Sequence, residues 1–325
     1  MVDKKKVVDE VGGWLKLYDD GSVDRTWTGP PELKFMFEPV PPHHHFIDGV
    51  ATIDTTTAAN GPKLRIYLPE KQENDTDKLP ILLHFHGGAF SITQPSWCMY
   101  YAHYTRLARV ARVIVVSVYL RLGPEHRLPA ACDDGYAGLL WLQSPSPWLR
   151  QADFERVFLI GDSSGGNIAH QVAARGRHED MKIRGVILNN PGFCRTRRSK
   201  SELEQPDNPL LSLEMVDKLL KLGMAVGATK DDPVTCPMGE RAPPLEELRL
   251  PPYLLCVSEQ DLFKDTQMEF YEGILRRANK EVELYVSQGV GHCFYLNKID
   301  VDNDTVTADQ TEKIIKRITQ FINNH

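Results

Sequence analysis

Residues 157–170 read VFLIGDSSGGNIAH, and this stretch decides the fold expected for the rest of the chain. Its centre, Gly161-Asp162-Ser163-Ser164-Gly165, follows an apolar run and opens a helix-forming run. A serine between two glycines at a sharp strand-to-helix turn is typical of a nucleophile elbow, because the turn excludes bulky neighbours and exposes the hydroxyl. The sequence therefore predicts Ser163 as a nucleophile. The alternative is an ordinary glycine turn with Ser163 or Ser164 as a helix N-cap.

A second motif, His86-Gly87-Gly88-Ala89, follows a buried strand predicted at Pro80–Phe85. A tetrahedral intermediate needs backbone N–H donors aimed at its oxyanion, and small residues let a substrate approach closely. We expect the N–H groups of Gly88 and Ala89 to donate, with that of Ser164 as a third donor and Gly87 shaping the loop. Taken alone, the motif could also be a plain turn at a strand end.

Two later residues supply an acid and a base in the chain order Ser, acid, His. Asp261 and His292 each lie just after a predicted strand, and a glycine precedes His292. Asp261 is favoured over Asp265, which we expect to cap the next helix, and over Glu259. A histidine in a loop is otherwise an ordinary solvated side chain.

Predicted strands and helices alternate along most of the chain. Strands are expected at Leu64–Leu68, Pro80–Phe85, Val113–Val118, Val157–Ile160, Val186–Leu188, Tyr253–Val257 and Val282–Val286. Helices are expected at Trp97–Ala108, Ala130–Gln143, Ser163–Arg175, Asp265–Ala278 and Ala308–Ile322. This alternation predicts an α/β fold with a mainly parallel central sheet flanked by helices on both faces.

Two segments lie outside that alternation. A hairpin is predicted at Trp14–Trp27, and an insertion of unusual length at about 192–250 carries a helix predicted at Ser212–Leu222. We interpret residues 1–45 and about 192–250 as contributions to one lid on a single domain that spans 1–325.

Five blocks carry a family resemblance. They are HGGA at 86–89, RLGPEHRLPAA at 121–131, GDSSGGN at 161–167, Asp261, and Gly291-His292. In this order they resemble the plant carboxylesterases of the hormone-sensitive-lipase-like branch of the α/β-hydrolases, over nearly the whole chain. The resemblance implies an α/β-hydrolase fold and hydrolysis of small-molecule carboxylic esters through an acyl-enzyme, without a cofactor.

The same resemblance leaves two other functions open. Plant gibberellin receptors share the fold and the lid but have the catalytic histidine replaced, so His292 favours an enzyme. Dehydratases and cyclases of the family alter the nucleophile or the oxyanion block. Here Ser163 is intact, but Ala89 stands where the family usually has a third glycine, which keeps this alternative open. The family motif YRLAPEH reads LRLGPEH at 120–126, a block that is structural in the family.

Apolar side chains near these motifs are expected to line the substrate pocket, although each could equally be ordinary core. They are Phe90, Ile92, Phe193, Met215 and Phe294. Their character favours a short acyl chain or an aromatic alcohol. The Ala89 methyl group should narrow the space beside the scissile carbonyl and favour short or planar esters.

The composition excludes several other classes. The 325-residue chain has a formal net charge of −6 and a pI of about 6.0, which argues against a nucleic-acid partner. No run has the length expected of a membrane helix or a signal peptide, which predicts no membrane partner and a cytoplasmic protein with possible nuclear access. His43-His44-His45 is read as a solvated loop, and no metal site is expected. The sequence gives no signal for an oligomeric state.

Overall fold

The computed structural model describes residues 5–58, 61–73, 78–144, 146–175, 181–205, 210–274 and 278–325. The strands are β1 (Val7–Val11), β2 (Leu15–Tyr18), β3 (Val23–Asp24), β4 (Val50–Thr56), β5 (Lys63–Pro69), β6 (Leu79–Phe85), β7 (Ile114–Val118), β8 (Ala152–Asp162), β9 (Ile183–Asn189), β10 (Tyr253–Ser258) and β11 (Val282–Ser287). The α-helices are α1 (Cys98–Ala111), α2 (Ala130–Trp141), α3 (Ser164–Ala174), α4 (Lys200–Glu204), α5 (Leu213–Gly223), α6 (Lys264–Glu272), α7 (Lys298–Asn303) and α8 (Thr305–Asn324). Short 3-10 helices cover Pro31–Phe37, Pro147–Leu149, Leu245–Glu247 and Phe294–Leu296.

The central sheet has eight strands within the described residues, in the order β11-β10-β9-β8-β6-β7-β5-β4. Strand β5 pairs antiparallel with both β4 and β7, and the remaining pairs are parallel. The predicted mainly parallel sheet is therefore confirmed. The sequence analysis did not predict β4, nor the antiparallel pairs that it forms with β5 and that β5 forms with β7.

Strands β6 and β7 are buried along their whole length because helices cover both faces of the sheet. Successive side chains of a strand point to opposite faces. Leu82 and its neighbour Val115 pack with residues of α1 and α8. Leu83 and its neighbour Val116 pack on the other face with residues of α2 and α3.

Parallel strands place their carboxyl ends at one edge of the sheet, and ligands bind at that edge in open α/β sheets. Ser163 directly follows β8, and Gly87 lies two residues beyond the end of β6. Asp261 and His292 follow β10 and β11. The topology alone therefore gathers all four positions at the same edge.

A separate three-stranded antiparallel sheet, β1-β2-β3, lies in the N-terminal segment, the described part of residues 1–45. Strands β2 and β3 make the predicted hairpin, with Gly21 at φ 80° in its turn, whereas β1 was not predicted. Trp14 of this segment packs edge-on against Phe37 at 4.6 Å between ring centroids and lies parallel to Trp97 at 6.3 Å. Strand β1 also contacts α5, so the N-terminal segment and the insertion touch each other.

Candidate active site

Ser163 occupies a strained turn between β8 and α3. Its backbone has φ 53° and ψ −125°, and its side chain makes no capping hydrogen bond to the helix. The Ser163 carbonyl accepts from the N–H groups of Gly166 and Gly192, each at 2.9 Å. A Cβ atom on Gly161 would lie 2.1 Å from the carbonyl oxygen of Gly165, so glycine is required at that position. The turn therefore has the geometry of a nucleophile elbow.

Asp261 is fully buried and holds the ring of His292. The Nδ1 atom of His292 lies 3.0 Å from Oδ1 and 2.9 Å from Oδ2 of Asp261. Oδ1 also accepts from the N–H of Phe263 at 2.9 Å. Oδ2 accepts from Asn190 Nδ2 at 3.0 Å and from Gln267 Nε2 at 2.9 Å. Three groups other than His292 thus fix the carboxylate, and it in turn fixes the orientation of the imidazole.

The opposite nitrogen of the same imidazole is available for chemistry. His292 Nε2 is buried and has no hydrogen-bond partner among the described residues. Ser163 and His292 line the same cavity. Burial on its own lowers the pKa of His292, but the adjoining Asp261 carboxylate outweighs it and raises the pKa of His292 well above its ordinary value.

The two alternative acids are engaged elsewhere. Helix α6 begins at Lys264 with Phe263 at its N-cap, so the expected capping role of Asp265 was wrong. Asp265 Oδ2 instead accepts from the N–H of Ser201 at 2.8 Å. Glu259 Oε2 accepts from the N–H of Gly289 at 2.8 Å.

The loop after β6 presents unpartnered backbone donors. The N–H of Gly87 donates to the hydroxyl of Tyr100 at 2.9 Å, so Gly87 shapes the loop and has no free donor. Across the described residues, the N–H groups of Gly88, Ala89 and Ser164 have no protein acceptor. These three N–H groups are the ones expected to donate to an oxyanion.

A cavity of about 450 Å³ lies above these groups. Ser163, Gly88, Ala89 and His292 form its polar floor. Its apolar wall comes from three parts of the chain: Trp14, Met36 and Phe37 of the N-terminal segment, Leu210, Leu211, Val216, Leu219 and Leu220 of the insertion, and Ile92, Met99, Leu262, Phe263, Val290, Phe294 and Leu296 of the remaining chain.

Of the five pocket residues expected from the sequence, Ile92 and Phe294 line the cavity, but Phe90, Phe193 and Met215 are absent from the described lining. Phe193 is fully buried, with its ring 4.5 Å from that of Phe270. Phe90 is at φ 63° in the oxyanion loop and packs into the core on the α2 and α3 face.

Met215 belongs to α5, a helix that contributes other residues to the cavity wall. The cavity-facing residues of α5 are Val216, Leu219 and Leu220. Their spacing of three and four residues puts them on one side of the helix. Met215 lies four residues before Leu219 and packs in the same apolar cluster.

The sequence analysis did not anticipate Gly192, whose N–H donates to the Ser163 carbonyl. It also did not name the N-terminal residues of the cavity wall. The segment Asn-Asn-Pro-Gly at 189–192 was a turn signal that could have indicated Gly192.

A buried carboxylate next to the nucleophile was also missed. Asp162 is fully buried, and its Oδ2 accepts from His84 Nε2 at 2.9 Å and Tyr104 Oη at 2.5 Å. Its Oδ1 accepts from Tyr295 Oη at 2.6 Å. Burial on its own raises the pKa of Asp162, but hydrogen bonds from His84 and Tyr104 outweigh it and hold the pKa below its ordinary value. One carboxylate thus ties β6, α1 and the loop of His292 to the elbow.

The histidines at 43–45 do not form a metal site in the part of the chain that the structure describes. His43 contacts the carbonyl of His45 through Nδ1 and the hydroxyl of Tyr101 through Nε2, each at 2.9 Å. A group of possible ligands, Glu281, Glu283 and His325, lies at the C-terminus, where Arg317 already pairs with Glu283. Within the described ranges, no helix is long and apolar enough to cross a membrane.

The chain is similar to several plant proteins over most of its length. It is 34% identical over 333 residues to "Probable carboxylesterase 6" of Arabidopsis thaliana, covering 98% of this chain and 92% of that one. It is 32% identical over 338 residues to a 2-hydroxyisoflavanone dehydratase of Glycyrrhiza echinata, covering 98% and 97%. A gibberellin receptor of Arabidopsis thaliana is 32% identical over 298 residues, covering 86% and 81%.

The fold is shared with solved esterase structures. A bacterial heroin esterase superposes with a TM-score of 0.71 at 24% identity, over 85% of each chain. Residues 82–296 match the family described as alpha/beta hydrolase fold, and this range contains the elbow, the oxyanion loop, Asp261 and His292. The chain therefore belongs to the α/β-hydrolase family, with plant carboxylesterase-like proteins among its relatives.

Proposed function

We propose that this protein hydrolyses small carboxylic esters with Ser163 as nucleophile, His292 as general base and Asp261 as the acid that orients it. The observation that carries the proposal is the arrangement of His292. Its Nδ1 is held by the buried Asp261, while its Nε2 is unpartnered beside the cavity that Ser163 lines. That arrangement leaves one nitrogen free to take the proton of a nucleophile.

Acylation starts when Ser163 Oγ attacks the ester carbonyl carbon and its proton passes to His292 Nε2. The carbonyl oxygen becomes an oxyanion, which accepts from the N–H groups of Gly88, Ala89 and Ser164. Asp261 stabilises the imidazolium that forms. The C–O bond to the alcohol then breaks, and His292 returns its proton to the leaving alcohol.

Deacylation repeats these steps with water. His292 takes a proton from the water as the water oxygen attacks the acyl carbon, and a second oxyanion forms in the same place. Collapse of this intermediate breaks the bond to Ser163 Oγ, and His292 protonates the serine. The products are the alcohol and the carboxylic acid, and the enzyme returns to its starting state.

The cavity suggests the kind of ester. Its volume of about 450 Å³ and its apolar wall suit a small ester with an apolar or aromatic part. The described lining residues include no lysine or arginine, and the carboxylate of Asp300 is among them. Neutral esters should therefore react better than esters that carry a carboxylate, because an anion would find no cation in the cavity.

The N-terminal segment and the insertion supply about half of the apolar wall. This supports the interpretation of residues 1–45 and about 192–250 as a lid on a single domain. Strand β1 of the N-terminal segment contacts α5 of the insertion, so the two segments together should shield a bound ester from bulk water.

A receptor function is the second candidate, since one relative is named a gibberellin receptor. A receptor needs the covered cavity but has no use for an oriented imidazole with a free nitrogen. A dehydratase function is suggested by another relative's name, and Ala89 in the oxyanion loop favours it, whereas the intact Ser163 favours hydrolysis.

Turnover of p-nitrophenyl esters of rising acyl length distinguishes these functions. We expect hydrolysis of the short members by the wild type and a loss of several orders of magnitude in Ser163→Ala. Ser164→Ala is the matched control, because it keeps the backbone N–H and should retain turnover. Full activity in Ser163→Ala, or no activity in a folded wild type, would contradict the proposal.

A further inference from the structure

The oxyanion loop is held in an unfavourable backbone conformation. Gly88 has φ 96°, and the non-glycine residues Ala89 and Phe90 have φ 49° and 63°. Side-chain-bearing residues seldom adopt positive φ, and they stay there only when surrounding contacts hold them. The contacts that hold this loop therefore determine where the N–H groups of Gly88 and Ala89 point.

One of these contacts comes from the distant N-terminal segment. Arg25 Nε donates to the carbonyl oxygen of Ser91 at 2.8 Å, and its Nη2 donates to the carbonyl oxygen of Gly123 at 2.8 Å. Gly123 in turn donates its N–H to the carbonyl oxygen of Phe90 at 2.8 Å. Arg25 and Gly123 thus form a hydrogen-bond network that holds the carbonyl groups of Phe90 and Ser91.

The guanidinium of Arg25 is itself fixed. Nη1 and Nη2 donate to Oε1 and Oε2 of Glu125 at 2.8 Å and 2.6 Å, a two-pronged contact that sets the plane of the guanidinium. The Arg25 side chain is only 20% exposed, against 38% for Glu125. Burial on its own raises the pKa of Glu125, but the hydrogen bond from Arg25 outweighs it and lowers the pKa, which favours the carboxylate form of Glu125.

We propose that Arg25 is a positioning residue for the oxyanion hole. It acts through the carbonyl groups of Ser91 and Gly123 and touches no reacting atom. This inference rests on the proposed function, because it assigns Arg25 a part in the same hydrolytic step. It also makes the N-terminal segment a component of the catalytic machinery as well as a wall of the cavity.

Loss of Arg25 should affect the transition state more than substrate binding. The loop can relax when its outer hydrogen bonds are removed, and its N–H groups then point less well at the oxyanion. Loss of a whole oxyanion donor costs about 100- to 1000-fold in kcat, so partial misalignment in Arg25→Gln should cost roughly tenfold. The KM of a small ester should change less than about twofold, because ground-state contacts persist.

An aryl trifluoromethyl ketone tests this directly. Ser163 Oγ adds to its carbonyl carbon, the serine proton passes to His292, and the carbonyl oxygen becomes an oxyanion in the hole. If Arg25 positions the hole, Arg25→Gln should weaken inhibition by the same factor as it lowers kcat/KM. Lys221→Gln is the control, because the Lys221 ammonium lies 3.9 Å from Asp9 of the N-terminal sheet but is not bonded to the oxyanion loop.

Arg25→Lys separates this role from a simple ion pair. Lysine can still pair with Glu125, but it cannot serve Glu125 and two carbonyl groups in one plane. We expect Arg25→Lys to lose kcat and inhibitor affinity as Arg25→Gln does, with a melting temperature close to that of the wild type. Wild-type kcat and inhibition in either variant would overturn the inference, while an intact Ser163-dependent turnover would leave the proposed function standing.

Discussion

His292 Nδ1 lies 2.9 Å from Oδ2 of the fully buried Asp261, and the Nε2 atom of the same ring has no partner among the described residues. The carboxylate therefore sets both the direction of the ring and its basicity. Because the carboxylate also accepts from Asn190, Gln267 and the N–H of Phe263, it cannot turn away from the histidine without leaving buried donors unpaired.

The pH dependence of kcat/KM should report this pair. Asp261 raises the pKa of His292, and the base acts only when it is neutral. Activity should therefore fall as pH decreases, with a midpoint above the ordinary histidine value of about 6.5. Asp261→Asn should move the midpoint to lower pH and reduce kcat by roughly 10⁴-fold.

Glu259→Gln is the control for that experiment, because Glu259 is bonded to Gly289 and is not bonded to His292. Its profile should overlay that of the wild type. An unshifted midpoint in Asp261→Asn, or a shift of equal size in Glu259→Gln, would show that Asp261 does not set the basicity of His292.

The carboxylate of Asp162 predicts a stability effect. Tyr295→Phe removes one hydrogen bond to this buried anion and should lower the free energy of unfolding by about 1–3 kcal/mol, as measured with urea at neutral pH. Tyr119→Phe is the matched control, since the buried Tyr119 hydroxyl has no partner among the described residues and its removal should cost little. Equal unfolding curves for the two variants would contradict the role of Asp162.

Gly192 provides a test of the elbow. A Cβ atom there would lie 3.0 Å from the Ser164 nitrogen and 3.2 Å from the Ser163 carbonyl carbon. Gly192→Ala should therefore obstruct the third oxyanion donor and reduce kcat roughly tenfold or more. Gly12→Ala, where the added methyl group meets nothing within 4 Å, should keep wild-type kcat. A Gly192→Ala enzyme with unchanged kcat would exclude Ser164 N–H from the hole.

Ala89 should limit the size of the acyl group. It lines the cavity in the oxyanion loop, and we expect its methyl group to narrow the space beside the scissile carbonyl. Ala89→Gly should raise kcat/KM for longer p-nitrophenyl esters relative to the acetate. If the acyl-length profiles of the variant and the wild type coincide, the methyl group does not determine specificity.

The sequence predicted the parts of the molecule that depend on local patterns. Adjacent residues are enough to predict the apolar runs of β6, β7 and β8 and the turn formed by the glycines around Ser163. Strand β4 is rich in Val, Ile and Thr, which favour strands. It was not predicted because the sequence prediction relied on the longer apolar runs. Phe193 and Met215 could not be assigned to core or cavity, because apolar character alone does not say which face is open.

The remaining features depend on contacts between distant parts of the chain. Asp162 binds His84, Tyr104 and Tyr295, and no spacing rule relates these positions. The contact of Arg25 with Glu125 likewise joins the N-terminal segment to a loop 100 residues away. Such buried polar partners are recognised only when the fold has brought them together.

Acylation of the enzyme by p-nitrophenyl acetate tests the central claim most directly. Rapid mixing followed by acid quench and peptide mass spectrometry should show about one equivalent of p-nitrophenolate released per enzyme in an initial burst, with one acetyl group on the peptide that contains Ser163. His292→Ala should show neither. A folded wild-type protein that gives no burst and no acetylated Ser163 peptide, or that is acetylated at another residue, would contradict the assignment.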